Sequence, residues 1–508
     1  MTTATSLSQP DRDFFTLVMN ATLANPFSDN RMEADLKIAG LFPKARREII
    51  LEHTIQAVRQ RIEQLGRKGT CNLALYREPD RTILRAAFMF DFFHAWCSHF
   101  DAMIDQQAAI PTGQTDAPKK VRFAEQALSQ LSIKGFDQEE AVHLFSLCFQ
   151  LRRAFYFIDK NLVGRSPCMI KLRESLWNNV FTGDLLFYSR HLWNKMEDFS
   201  TLIIGETGCG KGTAANAIGR SGFIPFNLDL LSFDENFTRS FVSLNISQFP
   251  ENLIESELFG HKKGSFTGAV DHHEGVFARC SPYGAIFLDE IGEVSVPIQI
   301  KLLKVLEERV FSPVGSRESH RFMGRIITAT NRNLDELVDP DIIRKDFYYR
   351  LCSDIIMVPP LRQRIQEDPD ELDRLLKHRL TAMIGSDPDP MLSLLRLKIR
   401  QGLGRHYSWP GNVRELEQVT RRVLLDPKGD MTMDSGISGD KGRKRYAKDL
   451  ARAMADGSIK AHDLLKAYCF NLYKEFGTIG EVARRTHLDR RTVKKYCDEW
   501  ATEGKTSF

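Results

Sequence analysis

No run of apolar residues in this sequence is long enough to cross a bilayer. The most apolar stretch, Ala86 to Trp96, is interrupted by Asp91 and falls short of the roughly 20 residues a spanning helix requires. The start, Met1 to Arg12, has neither the basic segment nor the apolar segment of a secretion signal. Cysteine is sparse: Cys71, Cys97, Cys148, Cys168, Cys209, Cys280, Cys352, Cys469 and Cys497 are odd in number, widely spaced and include no C-x-x-C pair. That excludes a disulfide scaffold and the common zinc spacings, and fits reduced thiols. The expected location is the cytoplasm, with no membrane partner. There is no internal repeat, and 42% hydrophobic with 27% charged residues excludes a disordered or collagen-like chain. Net charge is small as well, +4 from 70 Lys and Arg against 66 Asp and Glu, which taken alone points away from nucleic acid.

The average conceals an asymmetry. Lys428 to Phe508 carries 17 Lys and Arg against 12 Asp and Glu, whereas the rest of the chain carries 53 against 54. All the excess positive charge therefore lies at the C-terminal end. At 508 residues the chain is long enough for about three domains.

From about Asp13 to Asp159 apolar residues recur at helical spacing, as in Ile49, Ile50, His53, Ile55, Val58 and Ile62, and 15 of the 34 Phe fall here. The pattern predicts a helical domain with a dense aromatic core or an apolar pocket. Beyond Asn161, short apolar runs (Thr201–Ile204, Phe241–Leu244, Ala285–Leu288, Arg325–Thr328) alternate with helical segments, which predicts a parallel sheet covered on both faces. A helical stretch runs from Leu361 to Leu425. Asp426 to Lys444, rich in Gly, Asp, Ser and Lys, reads as a linker. The expected division is 1–159 helical and sensory or regulatory, 160–360 an α/β core, 361–427 a helical extension, 428–445 a linker and 446–508 a basic helical domain.

Gly205-Glu206-Thr207-Gly208-Cys209-Gly210-Lys211 follows the first run and precedes a helix, the context that makes G-x-x-x-x-G-K a phosphate-binding loop. Gly205, Gly208 and Gly210 let backbone N–H groups converge on phosphates, the helix N-terminus adds partial positive charge, and Lys211 neutralises the β- and γ-phosphates. The run Ala285–Leu288 ends in Asp289 and Glu290. Asp289 is predicted to hold Mg2+, and Glu290 to orient and deprotonate the attacking water. ATP with Mg2+ is the expected nucleotide. The loop is off pattern at Gly212, where Ser or Thr usually contacts the metal; Thr213, one residue later, is the alternative hydroxyl.

A further motif, Glu257-Leu-Phe-Gly-His-Lys-Lys-Gly264-Ser265-Phe266-Thr267-Gly268-Ala269, gives the segment from about Leu162 to Leu425 its most specific likeness. It resembles the bacterial enhancer-binding proteins, AAA+ ATPases that activate transcription by sigma-54 RNA polymerase. The resemblance implies a P-loop AAA+ core with a helical lid, a ring of copies, by the family's pattern a hexamer, and sigma-54 holoenzyme as partner. Ser265 stands where the family's G-A-F-T-G-A loop has Ala. By resemblance Phe266 and Thr267 make the sigma-54 contact, with Gly264 and Gly268 as hinges around an exposed aromatic.

Other residues carry over in the same way. Asn245 corresponds to a switch residue hydrogen-bonded to Glu290. Thr330 and Asn331 resemble sensor I. Arg344 and Arg350 resemble arginine fingers supplied to a neighbour's ATP. Trp409-Pro-Gly-Asn-Val-Arg414 resembles sensor II, with Pro410 placed to start a helix and Arg414 to reach the nucleotide. The sequence departs from the family at Gly212, where Glu is usual, and in two segments that are longer than usual, Gly164 to Gly205 and Phe223 to Arg239.

Gly477 to Tyr496 reads as two short helices with a turn near Thr486 to Asp489, with Ile479, Val482, Ala483, Leu488 and Val493 inward and Asp489 as N-cap. This is helix-turn-helix spacing. Arg490, Arg491, Thr492, Lys494 and Lys495 would face upstream, enhancer-like DNA. In the N-terminal segment His94 and His99 are five residues apart, about 500° of helix rotation; with Cys97, Asp101 and Asp105 they read as ordinary packing rather than a metal site. The segment is expected to bind a partner or small ligand. Two functions follow: an ATP-driven activator that remodels sigma-54 holoenzyme, or a DNA-binding regulator whose nucleotide site is structural or inactive.

Overall fold

The computed structural model describes residues 5–42, 45–110, 117–337, 339, 342–385, 388–404, 407–427, 460–476 and 478–502. They fall into two compact units, Met1–Gly429 and Asp430–Phe508. The linker expected at 428–445 lies outside the described residues. No helix among those described is long and apolar enough to cross a membrane.

The first unit begins with six helices: α1 (Gln9–Leu23), α2 (Asp29–Ala39), α3 (Arg47–Arg67), α4 (Asp80–Ala108), α5 (Ala124–Ile133) and α6 (Gln138–Phe155). Their ends follow from local chemistry. Ser8, Ser28 and Asp137 each accept a hydrogen bond from the backbone N–H three residues on, capping α1, α2 and α6. Helix α6 also has Glu139 and Glu140 in its first turn and Arg152 and Arg153 in its last, signs that suit the helix dipole. The histidines expected to pack do so. His94 lies against the Phe90 and Phe93 rings, His99 against Trp96 and Phe123. Burial pushes the His94 imidazole down to about 3, and Asp101 is paired with Arg152. No group of three or more metal-ligating side chains occurs among the described residues.

After α7 (Pro167–Phe181) comes a parallel five-stranded sheet, β1 (Thr201–Ile204), β2 (Phe241–Asn245), β3 (Ala285–Asp289), β4 (Arg325–Thr330) and β5 (Asp354–Met357), in the order β2-β3-β4-β1-β5. Four of the strands are the apolar runs of the sequence. The fifth is a short edge strand whose ends, Asp354 and Met357, are exposed, so it leaves little hydrophobic signal.

Because side chains alternate across a strand, the sheet feeds two cores. Leu202, Ile204, Leu244, Ile286, Leu288 and Ile326 face one, with the helices Glu251–Phe259, Val296–Glu308 and Lys345–Leu351. Ile203, Ala285, Phe287, Ile327 and Ala329 face the other, together with the helix after β1, α8 (Lys211–Gly219). That second core does not stop at the sheet. It runs without interruption into the N-terminal helices, from Leu7 through Phe100, Phe145 and Phe149 to Val358.

The two long segments noted in the sequence form this junction. Residues 223–239 contain a two-stranded ribbon, Phe226–Asn227 against Ser232–Phe233, whose rings meet α6: Phe145–Phe226 at 4.8 Å and Phe149–Phe233 at 4.1 Å between centroids. The Phe226 N–H donates to Ser146 Oγ at 3.1 Å and Val121 N–H to the Leu231 carbonyl at 2.7 Å. In the other segment Tyr188 is fully buried and bonded to Gln150 of α6.

Four helices, Leu361–Glu367, Glu371–Ile384, Asp389–Gly402 and Asn412–Leu425, complete the first unit. A buried pair, Arg364 with Glu371 at 2.8 Å, ties them to the start of the core through the Val163 carbonyl and the Arg165 N–H.

The second unit has helices Ala461–Phe476, Ile479–Thr486 and Arg490–Thr502 around Cys469, Val482, Ala483, Val493 and Cys497. His487, at φ 54°, ends the middle helix, and Asp489 Oδ1 accepts from the Arg491 N–H at 2.8 Å.

Candidate functional site at the end of the parallel sheet

Strand β1 ends in the loop 205–210, and Lys211 is the first residue of α8. Gly208 shows why the loop needs glycine: its φ is 78°, and a Cβ there would stand 2.4 Å from the Gly411 carbonyl and 2.9 Å from Arg414 Cβ. Lys211 is buried, and its Nζ donates to the carbonyls of Gly205 at 2.9 Å and Glu206 at 3.4 Å. The ammonium is thus held at the mouth of the loop by weak acceptors that an anion can displace.

The helical extension closes over the loop. Asn412, fully buried, donates from Nδ2 to Glu206 Oε2 and the Thr207 carbonyl, each at 3.1 Å, and accepts from the Leu361 N–H at 2.7 Å. The Val413 N–H donates to the Gly208 carbonyl at 3.1 Å. Glu206 is clamped in a fork by Arg362 at 2.7 and 2.5 Å, and that hydrogen bond holds its carboxylate below the usual range. Glu206 therefore bridges loop to lid.

Arg362 and Asn412 escaped the sequence reading, which chose Arg414, an exposed residue here. The signal for Asn412 lay within the Trp-Pro-Gly-Asn motif. Both Trp409 (φ 51°) and Asn412 (φ 52°) adopt the left-handed region, which Asn tolerates better than most residues. Pro410 sits in the turn before the helix, which itself begins at Asn412.

Across the loop stand the carboxylates. Asp289 ends β3 in register with Asn245 at the end of β2, and Asn245 Nδ2 donates to Asp289 Oδ2 at 3.4 Å. This corrects the expectation that Asn245 holds Glu290: the register puts Asn245 opposite Asp289, and Glu290 lies past the strand end. Glu290 takes the left-handed conformation (φ 59°), which strains a side-chain-bearing residue by about 1–2 kcal/mol, and its Oε2 accepts from the Asn331 N–H at 3.3 Å. Asn331 also reaches the loop, Nδ2 to Thr207 Oγ1 at 3.4 Å. Arg344 pairs with Asp346 at 2.7 Å and Arg350 donates to the Leu306 carbonyl at 3.2 Å, so neither guanidinium is spent on the chain's own loop.

The off-pattern Gly212 is not imposed by packing. It lies in the first turn of α8, its φ is not positive, and a Cβ would meet only Phe287 Cε1 at an ordinary 3.8 Å. Gly212→Ala should therefore raise the stability of the first unit by about 0.4–1 kcal/mol, read as a higher Tm in thermal unfolding; a lower Tm would show that a close approach requires the glycine. Cys209, buried beneath the loop, has its thiol pushed up by burial.

The donor set fits a nucleoside triphosphate. Glycines at 205, 208 and 210, a helix N-terminus and a lysine serve phosphate, and Asp289, with Thr213 exposed on α8, would hold Mg2+.

The loop 264–269 folds on itself, Gly264 N–H to the Ala269 carbonyl at 2.9 Å and Ala269 N–H to the Phe266 carbonyl at 3.0 Å. Gly264 (φ 79°) and Gly268 (φ 106°) have open space where a Cβ would be, so conformation rather than crowding favours glycine. Phe266 is less exposed than expected: it is half-buried with its ring 4.9 Å from that of His261. Thr267 and Gly268 form the exposed tip. Ser265 faces a second loop, its Cβ only 2.5 Å from where a Gly315 side chain would begin. Glycine at 315 is thus the packing requirement of this contact.

Residues 190–356 match the sigma-54 interaction domain family. The chain is similar to nitrogen fixation protein AnfA of Azotobacter vinelandii, 36% identical over 294 residues, 58% of this chain and 51% of that protein. It is also similar to the Nif-specific regulatory protein of Klebsiella oxytoca, 40% identical over 329 residues, 64% of this chain and 52% of that one. The chain thus spans about half the length of the relatives it matches. The crystal structure of NtrX from Brucella abortus in complex with ATP covers 79% of this chain and 85% of its own, at 20% identity and a TM-score of 0.40, too loose a likeness to add to this. The central segment of the chain, residues 190–356, is thus similar to the sigma-54 interaction domain, and over this part of its length the chain is related to the regulators named above.

Proposed function

We propose that the chain hydrolyses ATP in a ring of copies, uses the cycle to remodel sigma-54 RNA polymerase holoenzyme for promoter opening, and binds upstream DNA through its C-terminal helices. The observation that carries this is the meeting of Lys211, Asp289, Glu290, Asn331 and the lid residue Asn412 around one glycine loop, in a chain with a sigma-54 interaction domain. The triphosphate takes Lys211 from the loop carbonyls, and Glu290, exchanging its bond from Asn331 for one from water, accepts the proton as that water attacks. Mg2+ at Asp289 and Thr213 would supply charge neutralisation of the phosphates. Arg344 and Arg350, presented to a neighbouring copy, would make hydrolysis depend on assembly; Arg414, exposed beside the loop, is the sensor of the lid.

The helix Arg490–Thr502 is read as the recognition helix of a helix-turn-helix. Arg490, Arg491, Lys494 and Lys495 are exposed on it and Thr492 is half-buried. Arg484 and Arg485 are both held by Glu481, and Lys495 lies 3.8 Å from Glu499, so the DNA-facing charge centres on Arg490, Arg491 and Lys494, and a ring multiplies that modest charge through linked copies.

Thr267→Ala removes a hydroxyl at an exposed loop tip, where substitutions change stability by less than about 0.5 kcal/mol. In purified transcription it should lower open-complex formation at least 10-fold while ATP hydrolysis stays within about 2-fold; retained activation would sink the sigma-54 contact. The second reading, an inactive nucleotide site, has Gly212 in its favour. It requires that wild type and Glu290→Gln release phosphate equally slowly.

A further inference from the structure

The helix that carries Lys211 is held at its far end by the N-terminal helical region. The three residues after α8 offer three successive carbonyls, and two side chains of α6 take them all. Arg153 donates from Nη1 to Arg220 at 3.0 Å and from Nη2 to Gly222 at 2.6 Å, and Gln150 Nε2 donates to Ser221 at 2.9 Å. With Ser146, which accepts from Phe226, these residues lie at i, i+4 and i+7 on one face of α6.

The grip is unusual in its chemistry. Arg153 has no exposed surface, its hydrogen bonds go to backbone carbonyls, and its Nε has no partner. The guanidinium lies over the Phe149 ring at 4.5 Å and the Phe237 ring at 5.8 Å. A buried cation without a carboxylate bonded to it is costly unless something specific compensates; here the carbonyl end of α8 does, where the helix dipole favours positive charge. Simple adhesion between two domains would be served as well by an apolar side chain. What Arg153 adds is direction, fixing the rotation and axial position of a nine-residue helix about 13 Å long whose other end is the phosphate loop. The next residue, Arg152, turns the opposite way to a forked bond with Asp101 of α4 at 2.5 and 2.7 Å, so α6 links the interior of the helical region to α8.

We infer that Arg153 and Gln150 are positioning residues for the nucleotide site, through which the state of the N-terminal helical region sets the placement of Lys211. This rests on reading loop 205–211 as a nucleotide site, so the test measures binding apart from hydrolysis. The full-length chain is titrated with a fluorescent ATP analogue, and phosphate release is followed in parallel. Arg153→Lys and Gln150→Leu should each raise Kd at least 5-fold. Val18→Ala, a core truncation in α1 whose neighbours are α2 and α4, should lower thermal stability but leave Kd within 2-fold. Unchanged affinity in folded Arg153→Lys and Gln150→Leu, or an equal shift in Val18→Ala, overturns the inference. If Arg153→Lys does not fold, Gln150→Leu decides alone. A wild type that binds the analogue without hydrolysing it removes the ATPase reading and leaves the positioning role to be judged on Kd; a wild type that binds none removes both.

Discussion

Glu290→Gln is expected to lower the rate of ATP hydrolysis by about 100- to 10,000-fold, some 3–5 kcal/mol of barrier, with little change in nucleotide affinity. The amide is nearly isosteric and its oxygen can still accept from the Asn331 N–H, which Glu290 Oε2 holds at 3.3 Å. The left-handed backbone at 290 is the same for both side chains, so stability should barely move. What is lost is the basic oxygen. Lys211, Asp289 and the lid contacts, proposed above to bind the triphosphate, are untouched, so the two halves of the measurement separate: Kd for ATP reports the loop, and phosphate release reports the base. Hydrolysis retained within 3-fold would mean that the proton goes elsewhere. The strained backbone supports the assignment, since a non-glycine residue persists in that region only when its surroundings over-determine it, as they do at functional sites.

How much of this could be read from the sequence differs by physical cause. The glycine loop between β1 and α8, the Asp289-Glu290 strand end and four of the five strands were legible because each depends on local pattern: apolar runs of strand length, glycines before a helix, carboxylates at a fixed offset. Asn245 shows the limit of a resemblance. Its place at a strand end carries over, but which carboxylate it touches is set by the pairing of β2 with β3, a fact of register that no single strand announces. Arg362 and Asn412 were not legible because their roles exist only once the lid, far along the chain, folds onto Glu206 and Thr207. Gly212 looked like a defect in the motif, yet space for a side chain is present there. The phenylalanines between 13 and 159 announced an aromatic core, but nothing in their spacing told that its other half would come from Phe226, Phe233 and Phe237, beyond the first strand of the sheet.

That shared core sets the second large expectation: a fragment beginning at residue 160 and ending at 427 should not stand as a stable, soluble domain. Removing α1–α6 uncovers Phe226, Phe233 and Phe237, now 4%, 3% and 0% exposed, and each buried aromatic is worth about 1.5–3 kcal/mol. The three together are worth about 5–9 kcal/mol, comparable with the lower part of the roughly 5–15 kcal/mol by which a typical domain is stable, before the loss of Arg153 and Gln150 from the end of α8 is counted. The newly bared rings lie close together, with Phe226 and Phe233 5.2 Å apart, forming the contiguous apolar patch that drives association. The complementary piece, 1–159, is left with Phe145, Phe149 and Phe157 uncovered in turn. Size-exclusion chromatography and thermal unfolding of fragments 160–427 and 1–427 make the comparison. Aggregation of the shorter fragment, or a Tm lower by 10 °C or more, is expected, with recovery when 1–159 is co-expressed as a separate chain. A monodisperse 160–427 fragment with an unchanged Tm would mean that the helical region is an ornament on an independent motor. The expected result instead makes it part of the motor's own hydrophobic core, so that any ligand or partner reaching α1–α6 acts on a body already continuous with the nucleotide site.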